Sequence, residues 1–179
     1  MEPYFLKIKD NLISKSCKNI IIQLALENQD RFKAYKMKNG HYDGNNFFRL
    51  EEYLDTELIS LKKQCSLEFY YMIIMHKPYH KVIKHRDGPF GRNCVLSIPL
   101  LPTFNYPPTN FYDINEAFVG QCDFVEFNPA FLNTQQIHDL INQENMRLNL
   151  QLCFDKPFEE VVNLYKNKKL FSLTKTCNS

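Results

Sequence analysis

A chain of 179 residues, 44% of them hydrophobic, is the right size for one compact domain with a sizeable core, and 22 basic against 20 acidic residues leave a formal charge of only +2. That balance neither demands nor excludes a nucleic-acid partner. The six cysteines contain no Cys-x-x-Cys pair, which argues against structural zinc, and no apolar run approaches the roughly 20 residues that span a bilayer.

The N-terminus, MEPYFLKIKD, carries charges throughout and lacks the apolar stretch of a signal peptide, so a cytoplasmic protein with reduced thiols is expected. Residues 1–66 read as mostly helical. Apolar residues recur at helical spacing in KNIIIQLALENQDRF and again in RLEEYLDTELISLKKQ, which has acids early and lysines late. Between them, KMKNGHYDGNN has the Gly, Asn and Asp density of a loop or short hairpin and places His41 at the surface.

From Leu67 the texture changes to short runs of Ile, Val, Phe and Tyr, broken every 8 to 12 residues or so by Gly, Pro, Asn or Asp. The predicted strands are Phe69–Met75, His80–His85, Cys94–Leu100, two runs within Glu116–Phe127, then Gln136–Ile141 and Arg147–Phe154. Their number and spacing predict a mainly β core over 67–155, a closed sandwich of the jelly-roll kind with the N-terminal helices packed on it. Residues 156–179 hold a last helix starting near Pro157, with acids in its first turn, and a tail. Fifteen Phe and ten Tyr with no Trp suit sheet faces packed on each other. No linker or repeat divides the chain, so 1–179 reads as a single domain.

His85-Arg86-Asp87 ends a predicted strand. Residues i and i+2 of a strand share a face roughly 6 to 7 Å apart, so the imidazole and carboxylate converge. Such a mixed set suits iron(II) or manganese, and a second His would complete a two-His, one-carboxylate face that leaves metal positions open. His138 is the best candidate, because it lies in another strand-like run and Arg147 follows nine residues later. A hairpin centred near Asn142 and Gln143 would set the two opposite each other on one face. An arginine beside a metal is costly unless it meets an anion, and its planar fork fits a carboxylate, so a dicarboxylate spanning metal and Arg147 satisfies both.

These residues resemble the 2-oxoglutarate-dependent iron(II) oxygenases with a double-stranded β-helix (cupin-like) core. The pattern is His-x-Asp, a distal His 53 residues after the first, and Arg nine further on, within HRDGPFGRNCVLSIPL and NPAFLNTQQIHDLINQENMRLNLQLCF. It covers roughly Tyr79 to Phe154 and looks like the small bacterial and viral branch related to aspartyl/asparaginyl and prolyl hydroxylases. The resemblance implies that His85, Asp87 and His138 bind Fe(II) and that Arg147 binds the distal carboxylate of 2-oxoglutarate, with dioxygen as co-reactant. It also implies hydroxylation of an amino acid or protein side chain. Retention of Asp87 argues against a halogenase. Tyr79 shares strand parity with His85 and is a second candidate for the cosubstrate. Ser97 matches by position a cosubstrate-binding residue of the aspartyl hydroxylase group, which commonly lacks the metal carboxylate found here. Arg92 and Asn93 are placed at the site entrance, although Arg92 reads equally as a solvated loop charge.

Other readings compete. HRD also opens the kinase catalytic loop, but that loop needs an Asn where Arg92 stands. His76 and His80 have the spacing of a helical zinc pair, yet Pro78 lies between them, and both read as turn and strand-end histidines. Cys94 and Cys153 read as core. The aromatic segment Phe104–Tyr112 is either a substrate loop or a cover for the core. A non-enzymatic jelly roll that binds metal or a partner, and a nucleobase oxygenase with a basic rim of Lys77, Lys81 and Lys84, are the alternative functions.

Overall fold

The structure, a computed structural model, describes residues 4–36, 42–49, 55–87, 92–124, 127–141 and 144–172. His41, and Asn142 and Gln143 at the centre of the expected hairpin, lie outside them.

Among the described residues, eleven strands and three α-helices follow in the order β1 (Phe5–Lys7), α1 (Lys15–Glu27), β2 (Lys33–Lys36), β3 (Tyr42–Arg49), α2 (Thr56–Gln64), β4 (Phe69–His76), β5 (Lys81–His85), β6 (Cys94–Leu101), β7 (Thr109–Tyr112), β8 (Phe118–Cys122), β9 (Ala130–Leu132), β10 (Ile137–Ile141), β11 (Arg147–Phe154) and α3 (Phe158–Lys166). All pairings are antiparallel. They build a large sheet in the order β1-β9-β6-β11-β4-β3-β2 and a small one in the order β5-β10-β7-β8. This is the mainly β jelly roll that the strand spacing predicts.

The sequence of β11, RLNLQLCF, shows why the large sheet has two unlike faces. Alternation puts Leu148, Leu150, Leu152 and Phe154 on one side and Arg147, Asn149, Gln151 and Cys153 on the other. The leucine side joins Tyr71, Ile73, Leu96 and Ile98 in the main core, where Cys17, Ile21 and Ala25 of α1, Leu58 and Leu61 of α2, and Phe158, Val161 and Val162 of α3 cover it. The polar side turns toward the small sheet. Polar side chains buried there need partners, and this inner face is where the chemistry gathers.

Helix ends follow their local sequences. Ser14 caps α1 through its hydroxyl to the Cys17 amide, and Asp55 Oδ1 accepts from the amides of Glu57 and Leu58 at the start of α2. Glu159 and Glu160 occupy the first turn of α3 and Lys166 its last, complementing the helix dipole. No helix among the described residues is long and apolar enough to cross a membrane.

Three details depart from the sequence reading. The N-terminal part contributes strands β1, β2 and β3 to the large sheet besides its helices; of these, the β2–β3 hairpin between α1 and α2 is one of the two forms the sequence allows there. The strands β7 and β9, four and three residues long, were not predicted, because each is too short to show periodicity. The expected hairpin of β10 with β11 does not form: β10 pairs with β5 and β7, while β11 pairs with β4 and β6. The link between them crosses from one sheet to the other, and His138 and Arg147 line the same cleft from opposite sheets rather than facing each other along a ladder.

Candidate metal and anion site

Between the sheets lies a cleft with His85, Asp87, His138 and Arg147 all in its wall. The pairing of β5 with β10 sets His85 directly opposite His138, and their rings lie 4.4 Å apart. Asp87 sits two residues beyond His85, its amide donating to Thr134 O at 2.9 Å. One ligand atom from each of the three lies within 4.8 Å of the others, the spacing at which a single ion touches all three.

The tautomers are decided by the backbone. His85 Nδ1 lies 2.9 Å from Ile83 O and His138 Nδ1 lies 2.8 Å from Gln136 O. A carbonyl only accepts, so both Nδ1 atoms carry hydrogen and the neutral rings offer Nε2 lone pairs to a metal. Burial, reinforced by the neighbouring His85, pulls His138 down to about 4, which keeps it neutral. Burial acts on His85 in the same sense, but the hydrogen bond and charge of Asp87, 3.5 Å from its Nε2, outweigh it and raise its pKa. Burial would raise Asp87 too, yet the Arg92 guanidinium, with His85 and His138, holds its carboxyl well below the usual range.

Arg92 Nη2 lies 3.2 Å from Asp87 Oδ2 and donates to Gln151 Oε1 at 2.8 Å. The ion pair is not aligned as a hydrogen bond, and Oδ2 is buried with no hydrogen-bond partner among the described residues. A buried carboxylate with a lone pair to spare, beside two imidazoles with theirs, fits a divalent cation.

Arg147 is the other pole. It is 3% exposed, its Nη1 bonds His76 Nδ1 at 3.1 Å, its guanidinium lies 4.8 Å from the Tyr106 ring, and its Nε is buried without a hydrogen-bond partner among the described residues. Burial lowers its pKa from the ordinary guanidinium value. A buried cation with an unsatisfied donor is expensive, and a carboxylate in the cleft would relieve it. The residues therefore fit both a metal and a dicarboxylate.

The lesser candidates fall elsewhere. Tyr79 is not on a strand: it occupies the turn before β5 with φ 59°, is 73% exposed and does not line the cleft. The parity count fails because the turn resets the alternation. Ser97 is fully buried on β6 and donates to Asn149 Oδ1 at 3.1 Å, so its hydroxyl is spent within the wall. Arg92 reaches the site, whereas Asn93 ties the start of β6 to Phe154 O and Asp155 O. The aromatic segment mostly covers core: Tyr106 and Phe111 are buried, and Phe104 is 61% exposed. Lys84 lies over the Tyr112 ring at 4.0 Å and 3.6 Å from Glu116 Oε2, which weakens the idea of a basic rim. Cys94 and Cys153 are buried, and no disulfide links the five described cysteines.

Sequence reasoning underrated His76, Thr134 and Gln151, all of which line the cleft. Gln151 was legible, since it shares strand parity with Arg147. His76 closes an apolar strand, and nothing local distinguishes it from a strand-end histidine.

Comparison with solved structures places the fold. A prolyl hydroxylase from Trichoplax adhaerens, in complex with a hypoxia inducible factor peptide fragment, is 17% identical over 86% of this chain and 84% of its own, with a TM-score of 0.61. A Pseudomonas putida prolyl-4-hydroxylase reaches 0.63 at 10% identity, over 87% and 94% of the two chains. The fold is that of the 2OG-Fe(II) oxygenases. A viral collagen prolyl hydroxylase from Paramecium Bursaria Chlorella virus-1, in complex with 2OG, shares this oxygenase fold at a TM-score of 0.52 and 13% identity, over 85% and 96% of the chains. No family model and no curated protein matches the sequence.

Proposed function

We propose that the protein is an iron(II)- and 2-oxoglutarate-dependent dioxygenase that hydroxylates an unactivated C–H bond of an amino acid or protein side chain, with dioxygen consumed and succinate and carbon dioxide released. The observation that carries this reading is the buried Arg147, its Nε unpartnered, in the same cleft as the His85, Asp87 and His138 cluster. A module that only binds metal has no use for a buried inward guanidinium, and a purely structural jelly roll has no use for either.

Bound together here, iron(II) and 2-oxoglutarate would supply activation of dioxygen for attack on C–H. The chain's own part follows from its geometry. His85 and His138, each pinned through Nδ1 to its own backbone, hold their Nε2 atoms toward one point. Asp87 stays ionised beside Arg92. Arg147 would hold the far carboxylate of the cosubstrate, a group its planar fork suits, and so orient the other end toward the metal ligands. Ile74, Val82, Leu132 and Leu140 line the cleft with apolar surface and limit water there.

Anaerobic titration with iron(II), with and without 2-oxoglutarate, tests the reading. A visible charge-transfer band is expected only when both are present. His138→Ala should lose the band together with the metal, and Arg147→Ala should keep the metal but need far more 2-oxoglutarate. A wild-type protein with no 2-oxoglutarate-dependent band would sink the proposal. Succinate release across candidate amino acids and peptides would then find the substrate.

A further inference from the structure

The guanidinium of Arg147 is not simply buried; it is turned. Arg147 and His76 are direct cross-strand partners on β11 and β4, which places their side chains side by side on the inner face of the large sheet. Guanidinium nitrogens only donate, so in the 3.1 Å contact of Nη1 with His76 Nδ1 the imidazole is the acceptor and carries its hydrogen on Nε2. His76 is 3% exposed. The Tyr106 ring lies against the same guanidinium, 4.8 Å from its carbon, and the Tyr106 hydroxyl is tied to Leu148 O at 3.4 Å. The end of the fork bearing Nη1 is thus engaged. Nε, on the opposite edge, is a buried donor without a hydrogen-bond partner among the described residues.

We infer that His76 is a positioning residue for the anion subsite: by accepting from Nη1 it holds Arg147 so that the Nε edge, with Nη2 beside it, is presented to a carboxylate. The inference rests on the cosubstrate reading above and adds to it the residue that sets the orientation of the fork. Without the acceptor, the guanidinium is free to rotate, and its two donors on that edge no longer meet a carboxylate together. What His76 needs is an acceptor at the position of Nδ1, not an imidazole as such. Asparagine carries its side-chain oxygen close to that position, glutamine carries it farther out, and phenylalanine keeps the ring shape with no acceptor.

The experiment is calorimetric titration of 2-oxoglutarate into protein loaded with Mn(II), which allows binding without turnover, alongside titration of Mn(II) itself. His76→Phe and His76→Gln are expected to raise the Kd for 2-oxoglutarate about tenfold or more, as for the loss of a hydrogen bond to a charged group. The Mn(II) affinity should stay at the wild-type level, and His76→Asn should bind 2-oxoglutarate within about threefold of wild type. Should His76→Phe fail to fold, the contrast of Asn with Gln decides alone. The inference is overturned if Asn and Gln behave alike, if Phe binds 2-oxoglutarate as wild type does, or if metal and 2-oxoglutarate affinities fall together. Arg147→Ala separates the two layers: wild-type 2-oxoglutarate affinity in that variant removes the cosubstrate reading itself, whereas a loss there with none in the His76 variants removes only the role of His76.

Discussion

Arg92 and a metal would compete for the same carboxylate, and that competition has a measurable sign. In the metal-free protein Arg92→Met leaves Asp87, whose side chain is 7% exposed, with its charge answered only by His85 and His138. Breaking a buried ion pair by removing one partner costs about 3–5 kcal/mol. Arg92 is 24% exposed, so water screens part of the interaction and about 2–3 kcal/mol is the better figure. For a chain of this size each kcal/mol moves Tm by about 2–4 °C, which gives a fall of about 4–12 °C in the metal-free variant. A divalent cation at the triad supplies the positive charge that Arg92 supplied, and it no longer sits beside a guanidinium. Saturating Mn(II) should therefore raise Tm by more in Arg92→Met than in wild type, closing most of the gap. Thermal unfolding of both proteins with and without Mn(II) is the assay. A metal-free Tm unchanged by the substitution, or a gap of equal size with and without Mn(II), would refute the electrostatic reasoning.

Two further outcomes follow from the same geometry. His138 is depressed from 6.5 to about 4 in the fold, so the unfolded chain binds the proton first; stability from this group is full above pH 6.5 and is lost as pH falls toward 4, by about 3 kcal/mol in all. His76, also pushed down by burial, adds in the same direction, while His85, whose pKa is raised, opposes it. Urea unfolding of the metal-free protein from pH 7 to 4.5 should show a steeper loss in wild type than in His138→Gln; parallel curves would contradict the assignment. Tyr79→Phe should leave 2-oxoglutarate affinity within about twofold of wild type in the same Mn(II) calorimetry, since a hydroxyl in water contributes little there. A tenfold loss would mean that this turn closes over the cleft.

The residues on long alternating strands were the legible ones. RLNLQLCF announces a two-faced strand, and its polar parity picks out Arg147, Asn149 and Gln151 without any structure. His85 and Asp87 were legible for the same reason, as i and i+2 at a strand end. The pairing of His138 with Arg147 was reached through a hairpin that does not exist. Sequence spacing records how far apart two residues are along the chain, not whether the link between them turns back or crosses to another sheet. His76 was passed over because its significance is a cross-strand partnership with a residue 71 positions away. Tyr79 misled because a parity count assumes unbroken strand, and a left-handed residue in a turn breaks it.

The division of the site between two sheets has a mechanical consequence. His85 and His138 ride on the small sheet, Arg147 and His76 on the large one. On the proposed function, a dicarboxylate gripped at both ends would act as a strut between two plates and leave only when the plates part or one grip lets go. Cosubstrate residence would then be governed by how readily the small sheet breathes against the large. Apolar substitutions remote from every ligand, but wedged between the sheets, should shorten it as surely as changes at Arg147.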